Sequence, residues 1–247
     1  MNDSPPSSAL VIGASGGIGA AVLAAFLADP DIDEVWAISR SNAPAEFATA
    51  EKAPRWLLCD NSEKSIADCA AKLKSGASGL RRIVICSGIL HNERLRPEKS
   101  LETMHRAAML EVLEINTVLP ALWLSALAPL FGRDTNCVLA ALSARVGSIE
   151  DNRLGGWYSY RASKAALNML MQTASIELAR RAPGVKLLAF HPGTTDTPLS
   201  EPFQRNVPED KLFTPGFVAE RLSALMGTLP KDGELAYLDW DSQPIPW

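Results

Sequence analysis

Apolar positions along the chain fall into short unbroken runs that alternate with longer stretches at helical spacing. Ala9-Leu-Val-Ile12 is an apolar run stopped by glycine, and alanine-rich Ile18 to Ala28 follows with helical character. Glu34 to Ser39, Arg55 to Cys59, Arg82 to Cys86, Cys137 to Leu142 and Val185 to Phe190 read as further strands, and Leu235 to Leu238 as a last short one. Runs this continuous belong to strands buried on both faces. Between them, Asp60 with Glu63 reads as a capping box opening a helix that ends near Gly76. Leu101 to Leu130 has helical patterning, with Pro120 placed to kink or divide it. Tyr158 to Ala182 is a long helix stopped by Pro183-Gly184, and Thr214-Pro215 is an N-cap and first-turn pair for a helix reaching Leu229. The longest irregular segment, Thr194 to Lys211, has the length of a lid or binding loop.

Repeated β-α-β units with short connections predict an α/β fold, a doubly wound parallel sheet with helices on both faces. Residues 9–247 are expected to form a single domain, with a substrate loop near 194–213. Met1 to Ser8, polar and rich in proline and serine, is expected to be a disordered tail, with neither a basic nor an apolar segment of a signal peptide.

Composition narrows the function. The chain has 247 residues, 47% hydrophobic and 21% charged, which is ordinary for a globular domain. A net charge of −4 argues against a nucleic-acid or anionic-membrane partner. No apolar run in the sequence approaches the roughly 20 residues that span a bilayer. Cys59, Cys69, Cys86 and Cys137 are scattered without a C-x-x-C pattern and read as buried free thiols, so a reducing, cytoplasmic location is expected. His91, His105 and His191 share no ligand spacing with one another or with the cysteines, so no metal site is expected.

Gly13-Ala-Ser15-Gly-Gly17-Ile18-Gly19 directly follows the first strand and opens the first helix. In that context Gly13 allows a tight turn, Gly17 lets backbone approach a pyrophosphate, Gly19 lets the helix pack closely, and the helix N–H groups face the phosphates. The same residues spell G-x-S-x-G, a hydrolase nucleophile elbow centred on Ser15. That reading would need an acid and then a histidine, such as Asp151 or Asp134 followed by His191. An elbow on the first strand leaves no upstream loop for the oxyanion hole, and Gly19 no role. The second strand ends at Ser39-Arg40-Ser41, where an NAD-specific site would carry an acid for the ribose 2′-hydroxyl. Arg40 can instead pair with a 2′-phosphate, with Ser39 and Ser41 hydrogen-bonding it, so NADP(H) is preferred over NAD(H).

Tyr160 and Lys164 are four residues apart on the long helix and project from one face. A fixed cation favours the phenolate, and bringing a tyrosine to neutrality takes about three units, or roughly 4 kcal/mol. The expectation is a tyrosine lowered by Lys164, helped by the positive charge of an oxidised nicotinamide, that serves as a general acid and base near neutral pH. Tyr158 has alanine, not lysine, four residues on and reads as a rim residue.

The glycine turn, Asn116 in Glu-Ile-Asn-Thr-Val-Leu-Pro120, Ser143 at a strand end, Tyr160 with Lys164, and Pro192-Gly193-Thr-Thr-Asp-Thr197 occur in one order along the chain. In this the chain resembles the short-chain dehydrogenase/reductase family over almost its whole length. Gly147-Ser-Ile149, Tyr160-Arg-Ala-Ser-Lys-Ala-Ala-Leu-Asn168 and the terminal Pro-Ile-Pro-Trp247 look like its C-factor-like, or sniffer-type, carbonyl reductase branch. The resemblance implies a single-domain Rossmann fold with seven strands in the order 3-2-1-4-5-6-7. It implies that Tyr160 protonates a carbonyl oxygen as hydride arrives from NADPH, that Lys164 lowers the tyrosine and holds the nicotinamide ribose, and that Ser143 donates to the developing alkoxide. Asn116 would hold a water linking Lys164 to solvent. Asp60 would bind the adenine amine with Asn61 beside it, Gly88 would line the cofactor cleft, and Pro192, Gly193, Thr195 and Thr197 would meet the nicotinamide and pyrophosphate end. A C-factor-like signalling or sensor protein with little catalysis is the alternative, which the intact Asn116, Ser143, Tyr160 and Lys164 argue against.

Two departures from the family pattern stand out. Cys86-Ser87-Gly88 replaces the usual Asn-Ala-Gly, so a hydrogen bond is lost or remade by Ser87. The interval between Ser143 and Tyr160 is longer than usual, so residues between Ile149 and Trp157 form a loop over the site. Leu154 and Trp157 there, with Leu199 and Phe203 in the later loop, are expected to line an uncharged, partly apolar substrate pocket. Arg145 and Arg153 read as solvated, and His191 as support for a strand end. Apolar stripes on the helices near Leu110 to Leu130 and Leu167 to Leu178 read mostly as core. In the family the corresponding helices pair subunits, which implies a homodimer or homotetramer acting on a small-molecule carbonyl or alcohol.

Overall fold

The computed structural model describes residues 7–50, 52–77 and 79–247. In chain order the strands and helices are β1 (Ser8–Ile12), α1 (Gly17–Ala28), β2 (Glu34–Ser39), the short α2 (Ala45–Ala48), β3 (Arg55–Leu58), α3 (Glu63–Gly76), β4 (Leu80–Ile85), α4 (Arg106–Leu113), α5 (Leu119–Leu127), β5 (Cys137–Leu142), α6 (Tyr158–Arg181), β6 (Val185–His191), β7 (Thr194–Thr195), β8 (Leu212–Phe213), α7 (Pro215–Thr228) and β9 (Leu235–Asp239). Seven strands form one parallel sheet in the order β3-β2-β1-β4-β5-β6-β9, with β7 and β8 as a separate pair. This is the Rossmann arrangement expected. The strand order reverses between β1 and β4, and crevices for ligands open beyond the carboxyl ends of strands at such a point.

Period-two alternation sends each strand's side chains into two cores. Leu10 and Ile12 of β1 face one, with Ile83, Ile85, Leu139, Leu167 and Met171, under α3, α5 and α6. Ala9 and Val11 face the other, with Val22, Phe26, Leu188, Phe190 and Leu222, under α1 and α7. Every side chain of β1 is buried, which is why the strand reads as an unbroken run.

The structure departs from expectation at four places. Residues 1–6 of the expected tail lie outside the described residues, but Ser7 and Ser8 are not tail. Ser8 opens β1 in register with Glu34 and Leu80, and the Ser7 N–H donates to Asp33 Oδ2 at 2.7 Å. The cap of α3 is Ser62, whose Oγ accepts from the Ser65 N–H, because Asn61 takes a left-handed φ of 72° and turns the chain after Asp60. The stretch between α4 and α5 is a π turn, Glu114–Val118, with the Leu119 N–H reaching back to the Glu114 carbonyl. Pro120 has no N–H to return to the Asn116 carbonyl four residues back, so the α-helical ladder cannot run through this point.

The fourth departure concerns apolar length. Arg106–Leu130 is one continuous helical stretch of 25 residues, long and apolar enough by length and composition to cross a membrane. In the fold it lies between α3 and α6 and buries Leu119, Trp123, Leu124 and Leu127 against the sheet. Leu110, Val118, Met169, Leu170 and Ile176, on the same layer, are exposed.

Candidate active site

A cleft of about 550 Å³ opens at the carboxyl ends of β1, β4, β5 and β6. Its floor begins at the glycine turn. Gly13 sits at φ +84°, and a Cβ on Gly19 would lie 2.1 Å from the Gly13 carbonyl oxygen, so α1 can start this close to β1 only with glycine there. Gly16 caps α1 without a side chain, and the first turn contains no acid. The opening N–H groups and the positive end of the helix therefore face the cleft uncovered, which suits a phosphate. Gly17, Ile18 and Gly19 line the cleft, while Gly13 and Ser15 shape the turn from outside it.

Ser15 Oγ meets Ser39 Oγ at 2.6 Å, and Ser39 Oγ lies 3.3 Å from Ser41 Oγ. The Ser15 hydroxyl thus belongs to a serine cluster at the end of β2, and no histidine stands beside it as a hydrolase nucleophile would require. Next to the cluster Arg40 is exposed, and its guanidinium makes no hydrogen bond or ion pair with any described residue. Asp60 Oδ1 accepts from the Ser62 hydroxyl at 2.7 Å and N–H at 2.8 Å, which holds its carboxyl below the usual range. Asp60 and Asn61 lie outside the cleft lining. The Ser87 side chain makes no hydrogen bond with any described residue, so it remakes no strand-linking bond at Cys86-Ser87-Gly88. Burial pushes the Cys86 thiol up to about 12, which disfavours its thiolate.

The catalytic candidates come from the other side. Ser143 follows β5 and is buried, its N–H donating to the Phe190 carbonyl at 2.8 Å. Tyr160 and Lys164 both face the cleft from α6. The buried Lys164 ammonium donates to the Leu142 carbonyl at 2.7 Å and lies 5.8 Å from the centre of the Tyr160 ring. Burial brings Lys164 down to about 8 and pushes the Tyr160 phenol above its ordinary value. Among the protein's own groups Lys164 alone does not bring the phenol down. Removal from water disfavours the phenolate, and the Lys164 ammonium is turned to the Leu142 carbonyl.

Asn116, from the π turn, is fully buried. Its Oδ1 accepts from the Ile89 N–H at 2.7 Å, and its Nδ2 donates to the Ile89 carbonyl at 2.8 Å and to Ser163 Oγ at 3.1 Å. The side-chain amide is thus engaged with protein partners. It fixes the chain after Gly88, where a Cβ would come 3.7 Å from Asn116 Oδ1 and 3.9 Å from Lys164 Nζ.

The substrate side is built from side chains. Trp157, Leu199 and Phe203 line the cleft as expected. Trp157 packs edge-on against Tyr160 (6.1 Å between centres) and Phe203 (5.1 Å), and Phe203 against His91 (5.7 Å), whose Nε2 lies 3.0 Å from the Pro198 carbonyl. Leu154 is 92% exposed and does not line the cleft, which corrects the expectation. Gly155, Gly156 and Trp157 all have left-handed φ (64°, 65° and 53°), and Arg161 holds the Gly156 carbonyl at 2.9 Å and the Gly155 carbonyl at 3.0 Å. The chain reverses there, turning Trp157 inward and leaving Leu154 outside. Pro192, Gly193, Thr195 and Thr197 line the far wall.

Several contributors were not anticipated. Glu98 is buried beneath the start of α6. Its carboxylate accepts from the Ser159 N–H at 3.1 Å and from the Ser159 hydroxyl, and its carbonyl accepts from the Trp157 N–H at 2.6 Å. It caps the helix carrying Tyr160 from a remote loop, and nothing in its local sequence signals that. Arg145 is paired with Asp151 (3.2 Å) and Asp239 (2.9 Å) rather than simply solvated. His191 lines the cleft with Nδ1 buried and unpartnered, and burial followed by the Arg145 charge brings its imidazole down to about 4. The Trp247 carbonyl accepts from the Glu150 N–H at 2.8 Å and the Ser148 hydroxyl at 3.3 Å, fastening the loop above the site.

Comparison with known proteins agrees with this geometry. A family model described as short chain dehydrogenase matches residues 7–208. Over 91 residues the chain is 40% identical to a 1-hydroxy-2-glutathionyl-2-methyl-3-butene dehydrogenase of Rhodococcus sp., an alignment spanning 37% of this chain and only 38% of that relative. It is 30% identical over 141 residues to C-signal of Myxococcus xanthus, covering 57% of this chain and 80% of that one. Among solved structures, the carbonyl reductase Sniffer of D. melanogaster superposes with a TM-score of 0.81 at 20% identity, covering 98% and 100% of the two chains. An NADPH-bound carbonyl reductase from chicken fatty liver gives 0.82 at 24% identity, covering 97% and 98%.

Proposed function

The chain belongs to the short-chain dehydrogenase family, an oxidoreductase family, and on that premise we propose that it is an NADP(H)-dependent carbonyl reductase. The observation that carries the reading is the placement of Tyr160, Lys164 and Ser143 on one wall of a cleft whose other end is an uncapped glycine turn. The N–H groups at the start of α1 hold the pyrophosphate. Arg40, without a hydrogen-bond or ion-pair partner among the described residues, would hold a 2′-phosphate with Ser39 and Ser41 beside it, and Asp60 and Asn61 would take the adenine side. Gly88, Pro192, Gly193, Thr195 and Thr197 shape the nicotinamide end. NADPH, when bound, supplies the hydride.

Tyr160 supplies the proton to the carbonyl oxygen. A phenol that keeps its proton at neutral pH is able to give it to a carbonyl oxygen. Ser143 gives a second hydrogen bond to that oxygen as charge develops on it. Lys164 orients the ribose and keeps a positive charge near the phenol, while Asn116 holds the backbone on which Gly88 sits. The substrate is an uncharged, partly apolar carbonyl compound, because Trp157, Leu199 and Phe203 face it and the nearby Arg145 is already neutralised by two aspartates.

Titration with NADPH and NADH tests the cofactor assignment. Wild type is expected to bind NADPH more tightly by about tenfold or more, the scale of a charge-assisted pair. Arg40→Ala should lose most of that margin and leave NADH binding within about twofold. Tighter NADH binding by the wild type would overturn the assignment.

A further inference from the structure

The Ser143 hydroxyl has a protein partner inside the wall of the cleft. It donates to Asn168 Oδ1 at 2.6 Å, and both residues are buried. Asn168 stands one turn beyond Lys164 and two beyond Tyr160, so α6 presents all three on the face toward β5 and β6. Behind it lies Tyr237 of β9, whose hydroxyl donates to the carbonyl of Ala144, the residue after Ser143, at 2.7 Å. The Asn168 and Ser143 side chains also act on the Tyr237 phenol, pulling down a pKa that burial raises.

A serine hydroxyl carries one proton and turns freely about its Cα–Cβ and Cβ–Oγ bonds. Asn168 holds Oγ from one side, and Tyr237 holds the adjoining backbone from another. Because Oδ1 can only accept, turning the Asn168 amide over, so that Nδ2 donates to Oγ, keeps Oγ held while its one proton passes to an oxygen in the cleft. We propose that Asn168 is a positioning residue that sets the Ser143 side chain for its work on the substrate oxygen, with Tyr237 steadying the Ala144 backbone behind it. The proposal rests on the carbonyl reductase reading and on the part given there to Ser143.

The test is a double-mutant cycle on carbonyl reduction with NADPH, using Ser143→Ala, Asn168→Ala and the pair. Asn168→Ala is expected to lower kcat about tenfold, the scale of one buried hydrogen bond, with KM for the carbonyl and NADPH affinity within about twofold. In the Ser143→Ala background the same change should cost less than twofold, because the group it positions is gone. Asn168→Leu, which keeps the shape and packs in place of the amide, should repeat the result if the alanine variant folds poorly. An equal loss in both backgrounds overturns the proposal, since the effect would then be on α6 in general. So does wild-type kcat in Asn168→Ala. If Ser143→Ala alone turns over at the wild-type rate, the role of Ser143 fails and this proposal with it. The single mutant alone gives that result, which separates it from a failed coupling.

Discussion

At the β1–α1 end of the cleft the wall is backbone, whereas at the Trp157–Phe203 end it is side chains from three separate segments. The first end tolerates almost no change of residue type, since a Cβ on Gly19 would sit 2.1 Å from the Gly13 oxygen. The second is held by edge-on rings 5.1 to 6.1 Å apart and by a chain reversal at Gly155–Trp157. A backbone cradle fixes where a phosphate lies regardless of what else the ligand carries. A cage of side chains on loops can change its contents without disturbing the sheet.

The comparison can be broken most decisively at the rigid end. Gly19→Ala is expected to destabilise the protein by about 2 kcal/mol through overpacking and to abolish measurable NADPH binding. Thermal denaturation and NADPH titration would check it. Normal binding would mean that α1 can retreat from β1 and that the cradle is softer than described.

A smaller effect belongs at the side-chain end. Phe203→Ala should lower kcat/KM for apolar carbonyls about tenfold, through loss of the Trp157 and His91 contacts, while leaving NADPH affinity within about twofold. Leu154→Ala, one residue before the chain reverses, should leave both within about twofold, as exposed positions usually do. Steady-state kinetics on the two variants sharpens the contrast. Equal losses would show that the loop above the site closes on Leu154 during turnover.

The same contrast explains what could be read from residues alone. The strands, the glycine turn and the Tyr160–Lys164 pair were legible because each is demanded by local geometry at a fixed place along a strand or helix, whereas the sheet order and the part of Ser143 came from the family resemblance. Asn168 was within reach of the same reasoning, since it repeats the four-residue spacing of Tyr160 and Lys164. Glu98 was not, because it caps α6 across 61 residues of chain and has no local pattern of its own. Leu154 was misplaced because three successive left-handed residues, one of them a tryptophan, reverse the loop. Helical spacing puts Lys164 on the right face for Tyr160 but does not show that its ammonium turns to the Leu142 carbonyl.

The central claim is that Tyr160 gives the carbonyl oxygen its proton. Single-turnover consumption of NADPH with a reducible ketone, wild type against Tyr160→Phe, tests it most directly. Loss of a positioned general acid predicts a rate about a thousandfold lower, with NADPH affinity within about threefold because the ring and its packing on Trp157 remain. Equal rates for the two proteins would contradict the account and leave the fold as a nucleotide-binding scaffold whose chemistry lies elsewhere.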